Sequence, residues 1–297
     1  METALLDLDL LQRLEPLELR ARYVVEGFLT GLNRSPFRGF SVEFAEYRPY
    51  FPGDPLKLID WKLYGRTDRF YVKQFEEETN LQCHLLVDLS GSMNYRSRAG
   101  LMTKIDYART MAAALAWFLR QQWDAVGVTL LGANGLDHLP ARVSASHQRQ
   151  VMNSLEGATA AGEIDLSGLV QRFANLLHRR SLVLLISDFY EPTEALAAAL
   201  KRLRYGHHEV IALQIHDPAE IAFDFRESSF FHDLETGDRL VIDPESIRRD
   251  YQKNFQAHQL AIAKTMRDYE VDLTSFRTDA SMEGALTAYL ARREGGR

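Results

Sequence analysis

A single cysteine, Cys83, among 297 residues excludes an internal disulfide framework and any multi-cysteine zinc module, and it fits a reducing compartment. It sits in an apolar run, where it reads as a core residue. Basic charge is not in excess either: 35 lysines and arginines face 41 aspartates and glutamates, a net charge of −6. Up to residue 80 there are 11 basic and 14 acidic residues, and beyond it 24 and 27. Neither part carries the positive surface that a nucleic-acid backbone requires. Long apolar runs are missing as well, since stretches such as residues 110–119 fall short of the ~20 residues that span a bilayer. The chain opens with Glu2 and Asp7 in place of a basic segment and an apolar core. No cleaved export signal is therefore expected, and the expected location is cytoplasmic. No Gly-x-x-x-x-Gly-Lys-Ser/Thr loop occurs, so any ATP hydrolysis has to come from another protein.

What is present is an ordinary globular composition, 46% hydrophobic and 26% charged, long enough for one large domain or two modest ones. Over residues 5–28 apolar side chains recur at helical spacing, interrupted by Pro16, and predict two amphipathic helices. A turn-rich patch around Asn33-Arg34-Ser35-Pro36 then leads to predicted strands at 40–47 and 70–75. From residue 82 short apolar runs at 83–87, 125–131, 182–186, 209–215 and 271–275 alternate with helical patterns at 105–121, 147–155, 166–177, 194–205, 244–269 and 281–292. That alternation predicts an α/β fold, a doubly wound, mainly parallel sheet flanked by helices. A β insertion is expected over residues 216–241, turning at Glu235-Thr236-Gly237-Asp238. The predicted organisation is a small helical and β lobe over residues 1–80 and the α/β domain over 81–297.

In an open α/β sheet, ligands bind beyond the carboxyl ends of the strands, where strand order reverses. The strand at 83–87 runs into Asp88-Leu89-Ser90-Gly91-Ser92, which places one carboxylate and two hydroxyls on alternate positions of a tight turn. Hard cations take such oxygens; Mg²⁺ binds about six at ~2.0–2.1 Å, with waters completing the shell. A later strand ends in Ser187-Asp188, a second carboxylate at the same end of the sheet. The same residue types also build Asx turns and helix caps, so a purely structural turn remains open on spacing alone. No Gly-x-Ser-x-Gly elbow surrounds Ser90 or Ser92, which argues against a serine nucleophile. Ser90, two residues after Asp88, also departs from the Asp-x-Asp of aspartyl phosphotransferases.

Asp-Leu-Ser-Gly-Ser after an apolar strand resembles the Asp-x-Ser-x-Ser motif of von Willebrand factor A domains. Their metal-ion-dependent adhesion site adds a threonine from a second loop and an aspartate from a third. The upstream segment resembles the bacterial DUF58 family: Arg38-Gly39-Phe40, Glu43-Phe44, Tyr47-Arg48-Pro49-Tyr50, Pro52-Gly53-Asp54, Ile59-Asp60-Trp61, Arg66 and Val72-Lys73. Further pieces agree, namely Lys104 with Ala108-Arg109, Gly127, Asp217-Pro218 with Glu220, Tyr251 and Thr278-Asp279. The resemblance covers nearly the whole chain and implies a von Willebrand A-like, Rossmann-like fold. It implies Asp88, Ser90, Ser92 and Asp188 as ligands of Mg²⁺ or Mn²⁺. At the threonine position, within Gly162-Glu163-Ile164-Asp165, stands Ile164, which has no oxygen to offer. Glu163, Asp165 or Thr159 must substitute, or the metal is weakly held or absent.

The signature Pro52-Gly53-Asp54…Ile59-Asp60-Trp61 reads as a clamp. Gly53 permits a turn, Asp54 caps the segment after it, Trp61 is a large amphipathic anchor, and Arg48, Asp60 and Arg66 can form a charge-assisted network. The alternative is that this lobe frames a groove near Asp88. The resemblance implies a non-enzymatic module that binds a protein at the strand ends, as adaptor or assembly factor for a MoxR-type AAA+ ATPase. The competing class is a metal-dependent hydrolase or phosphatase using Asp88 and Asp188, for which His216 or Glu220 has to act as general base.

Overall fold

The apolar runs become adjacent strands buried on both faces. The computed structural model describes residues 14, 16–32, 44–49, 61–75, 82–225, 229–282, 284 and 286–287. In chain order its elements are α1 (Leu17–Leu32), β1 (Phe44–Pro49), α2 (Trp61–Thr67), β2 (Tyr71–Phe75), β3 (Gln82–Asp88), α3 (Lys104–Gln121), β4 (Ala125–Gly132) and β5 (Gly135–Arg142). They continue as α4 (Ala145–Gly157), α5 (Leu166–Ala174), β6 (Ser181–Ser187), α6 (Thr193–Tyr205), β7 (Glu209–His216), α7 (Pro218–Ala222), β8 (Ser229–His232), β9 (Arg239–Ile242), α8 (Pro244–Asp268) and β10 (Asp272–Arg277). A 3₁₀ turn spans Gly91–Asn94.

One six-stranded sheet has the order β10-β7-β6-β3-β4-β5. Every pairing in it is parallel except β4 with β5. Alternate side chains go to opposite faces, as a strand's two-residue period demands. Cys83, Leu85 and Val87 of β3 join Leu184 and Ile186 of β6 in a core shared with α1, α3 and α4. Leu86, Val183 and Leu185 enter a second core with α5, α6 and α8. Because both faces are covered, these strands read as unbroken apolar runs. The doubly wound α/β architecture expected from the sequence is the one observed.

Strand β5 was not expected. Its residues are only partly covered, and it pairs antiparallel at the sheet edge with Pro140 in it. Edge position removes the apolar run by which the other strands announce themselves. Gly127, opposite β5, has no room for a side chain: a Cβ there would stand 2.8 Å from the Leu139 carbonyl oxygen and 2.9 Å from His84 Nδ1. The β insertion appears as expected, an antiparallel β8–β9 hairpin turning with Gly237 at φ +83°.

Helix α1 comes from the stretch assigned to the N-terminal lobe, yet it packs on α3. Leu17, Ala21, Val24, Val25 and Phe28 form its buried stripe, and Phe28 meets Phe118 edge-on at 6.0 Å between ring centres. The predicted first helix, Pro52, Gly53, Asp54, Ile59, Asp60 and most of the closing helix lie outside the described residues. Strands β1 and β2 pair antiparallel as a separate ribbon. Trp61, read from the sequence as a large amphipathic anchor, is 59% exposed and set edge-on to Tyr64 and Phe70, which stack on each other at 4.4 Å. Arg66 is also exposed. A cluster of three local rings satisfies the tryptophan without a pocket in the main body. Among the described residues no helix is long and apolar enough to cross a membrane.

His84 is a cost built into the second core. It is buried, neither ring nitrogen has a hydrogen-bond partner, and it lies against His138 and Phe173. His208, which the sequence suggests is part of a solvated turn, is buried nearby. Burial first, then the charges of His138 and His208, lower the His84 pKa to about 4. The folded state thus binds fewer protons than the unfolded chain below pH ~6.5, and stability is lost as pH falls through this range. We expect acidification from about pH 7 to about pH 4 to lower the melting temperature. His84→Leu should remove on the order of 3 kcal/mol of that acid sensitivity. Thermal melts across the range check this, and a variant that keeps the wild-type slope contradicts it.

Candidate functional site

Strand order reverses at β3. The chain leaves it toward β4 and returns to pair β6 on its other side, so the carboxyl ends of β3 and β6 flank the switch point. Those ends carry Asp88 and Ser187-Asp188. Asp88 is 2% exposed; its Oδ1 accepts from the Ser90 N–H at 2.8 Å and its Oδ2 from the Ser187 hydroxyl at 2.5 Å. The first contact is an Asx turn, as the structural reading of this loop anticipates. The expected hydroxyl cap is absent: Ser90 caps nothing, and its Oγ stands 3.0 Å from the Ser92 Oγ. Three hydroxyls and two carboxylates therefore gather at one end of the sheet.

The second loop approaches this turn through its backbone. Gly91 N–H donates to the Gly162 carbonyl at 2.8 Å, Ala161 N–H to the Leu89 carbonyl at 3.0 Å, and Asn94 Nδ2 to the Ala160 carbonyl at 3.2 Å. Its side chains do not follow. Ile164 packs on the second core, while Thr159, Glu163 and Asp165 are exposed. Asp165 caps α5 by accepting from Gly168 N–H at 2.8 Å. Glu163 and Asp165 line a separate cavity of about 300 Å³ with Arg172 and Gly135. None of the three expected substitutes is shown donating an oxygen beside Asp88.

The residue that organises the site is Lys104. It is 0% exposed at the first position of α3, and its Nζ sits 2.7 Å from Asp188 Oδ2 and 2.5 Å from Glu220 Oε1. The same ammonium lies 4.8 Å from the centre of the Tyr190 ring. A cation opening a helix opposes the helix dipole, so these two carboxylates have to hold it there. Burial alone would lower the lysine's pKa, but Asp188 and Glu220 outweigh it and the pKa is raised. Glu220 is itself fixed by a capping box: its Oε2 accepts from Asp217 N–H at 2.8 Å, and Asp217 Oδ1 accepts from Ala219 N–H. Asp217 Oδ2 also accepts from Ser97 N–H at 2.9 Å.

One ammonium does not balance the acids gathered here. Burial, and then the charge of Asp188, push Asp88 up to about 7. Burial likewise raises Glu191, Glu220 and Glu235. Asp88, Ser90, Ser92 and Asp188 are oxygens of the kind a hard divalent cation takes, and the strained carboxylates would be relieved by one. The donor set fits such an ion on its Asp88–Ser92 side. Among the described residues, no group of three or more His, Cys, Asp or Glu side chains forms a metal cluster, so the hydroxyls are essential to that fit.

The family described as "Protein of unknown function DUF58" matches residues 46–261. The chain belongs to the DUF58 family. Uncharacterised proteins of Mycobacterium tuberculosis and Mycobacterium bovis are similar to this DUF58 chain, each 27% identical over 295 residues, 98% of this chain and 92% of the relative. One of Mycobacterium avium is 26% identical over 170 residues, 54% of this chain and 96% of that one. Among solved structures, BatB from Bacteroides thetaiotaomicron has a TM-score of 0.47 at 14% identity, covering 73% of this chain and all of that one. The VWA domain of SpRpn10 has a TM-score of 0.42 at 12% identity, covering 69% and 93%.

Sequence reasoning places Lys104 only among the residues of the resemblance and misses Ser187 as a partner of Asp88. A lysine directly after a capping threonine, at the start of a helix with a long buried stripe, is the signal that was available. Removing one partner of a buried ion pair costs about 3–5 kcal/mol, because the other charges stay buried and unpaired. Lys104→Met is expected to lose about that much in urea denaturation. Adding Glu220→Gln should restore part of the loss, and a Lys104→Met chain of wild-type stability contradicts the assignment.

Proposed function

We propose that this DUF58 chain is a non-enzymatic protein-interaction module whose partner docks at the carboxyl ends of β3 and β6. The meeting of Asp88, Ser90, Ser92 and Asp188 at the reversal of strand order carries the reading. Mg²⁺ or Mn²⁺ is the proposed ion, held by these four residues and supplying positive charge toward a partner's carboxylate. The family resemblance favours a MoxR-type AAA+ ATPase as the partner, with this chain as its adaptor or assembly factor in the cytoplasm. The competing hydrolase or phosphatase reading needs a base with a free acceptor. Glu220 has both oxygens engaged; His216 keeps an unpartnered Nδ1, but it lies buried against Phe255 and Tyr190, and burial and then Lys104 lower its pKa to about 4, which makes it a weak base.

Mg²⁺ or Mn²⁺ should raise the melting temperature, and Asp88→Ala should abolish the rise; a wild-type chain that does not respond sinks the ion. Affinity capture on the full chain should co-purify an AAA+ ATPase. The double substitution Ser90→Ala with Asp188→Asn should reduce recovery at least tenfold while circular dichroism stays unchanged. Undiminished recovery would place the docking face elsewhere.

A further inference from the structure

The β8–β9 hairpin reaches the site from more than a hundred residues away in sequence. Its tip lies over Gly91: a methyl group on that glycine would collide with the Leu234 carbonyl oxygen, 2.8 Å from its carbon and 3.2 Å from the Glu235 Cα. The backbone of Leu234 and Glu235 therefore covers the Asp88–Ser92 turn at Gly91, with the Glu235 side chain half-buried there. The tip is built to present that residue. Asp233 Oδ1 accepts from the N–H groups of Glu235 at 2.8 Å and Thr236 at 3.2 Å, and Asp233 N–H donates to the Asp238 carbonyl at 2.9 Å.

The hairpin's base is anchored separately. Phe231 stands parallel to Phe223, 6.2 Å between ring centres, and Phe223 stacks on Tyr251 of α8 at 4.2 Å. Arg248 donates to the Phe223 and Phe225 carbonyls. The ribbon forms its own two-stranded sheet, so its tip can swing on this base without breaking a bond of the six-stranded sheet.

We propose that the hairpin is a tethered occupant of the strand-end site, with Glu235 holding the place of the partner's carboxylate, and that partner docking displaces it. This rests on the reading that the partner binds at the ends of β3 and β6. The contact is one of backbone at the tip, while the aromatic anchorage lies at the base. A partner presenting a carboxylate on a turn matches the chemistry that the chain offers to itself.

The probe is a fluorescent cyclic peptide of residues 229–242, titrated against the full chain. Wild type, its site filled from within, should bind it at least tenfold more weakly than Glu235→Ala or Gly91→Ala. The same peptide carrying Glu235→Ala should not bind. Amides of residues 90–94 should exchange hydrogen at least tenfold faster in Glu235→Ala, with those of β6 unchanged. Equal peptide affinities, no binding by either variant, or equal exchange rates overturn the tether. If the AAA+ ATPase is still captured through Ser90 and Asp188 in that case, the docking face survives and only the hairpin's role is lost. Peptide binding to Glu235→Ala that ignores added Ser90→Ala and Asp188→Asn overturns both.

Discussion

A buried ammonium between two carboxylates holds the strand-end region of this protein together. Lys104 begins α3, Asp188 ends β6 and Glu220 lies in α7, so one charge ties the helix that covers the first core to the strand at the switch point and to the segment after β7. The arrangement is costly in isolation, since burying any one of these groups unpaired is penalised by several kcal/mol. It persists because each oxygen of Glu220 and both carboxylate oxygens of Asp217 have a designated donor.

That ion pair leaves the rest of the site acidic. Asp88, Glu191 and Glu235 crowd the same end of the sheet with the lysine already committed, and all three resist ionisation. The Ser187 hydroxyl and the Ser90 N–H that hold Asp88 answer this crowding directly. The second loop turns Ile164 into the core, while the insertion brings the Leu234–Glu235 tip against Gly91 of the first loop.

Much of the architecture was legible because burial on both faces writes a strand as an uninterrupted apolar run. Residues 182–186 and 209–215 could be placed almost to the residue as β6 and β7. Residues 135–142 could not, since β5 is an edge strand with one partner and a proline. The Asp88-to-Ser92 turn and Asp188 were legible because they immediately follow such runs. The setting of Trp61 was not legible, since the rings that meet it, at positions 64 and 70, come together only through the turn after α2.

The sequence alone determined the order of strands and helices, the loops that follow each strand, and therefore which residues can stand at the binding end of the sheet. These are local matters of period, propensity and chain direction. Only the tertiary structure decided which charge meets which. Lys104 finds Asp188 across 84 residues and Glu220 across 116, and the Leu234–Glu235 tip of the insertion comes against Gly91. Such pairings depend on crossover packing and on the low dielectric created by burial, neither of which leaves a periodic mark in the chain.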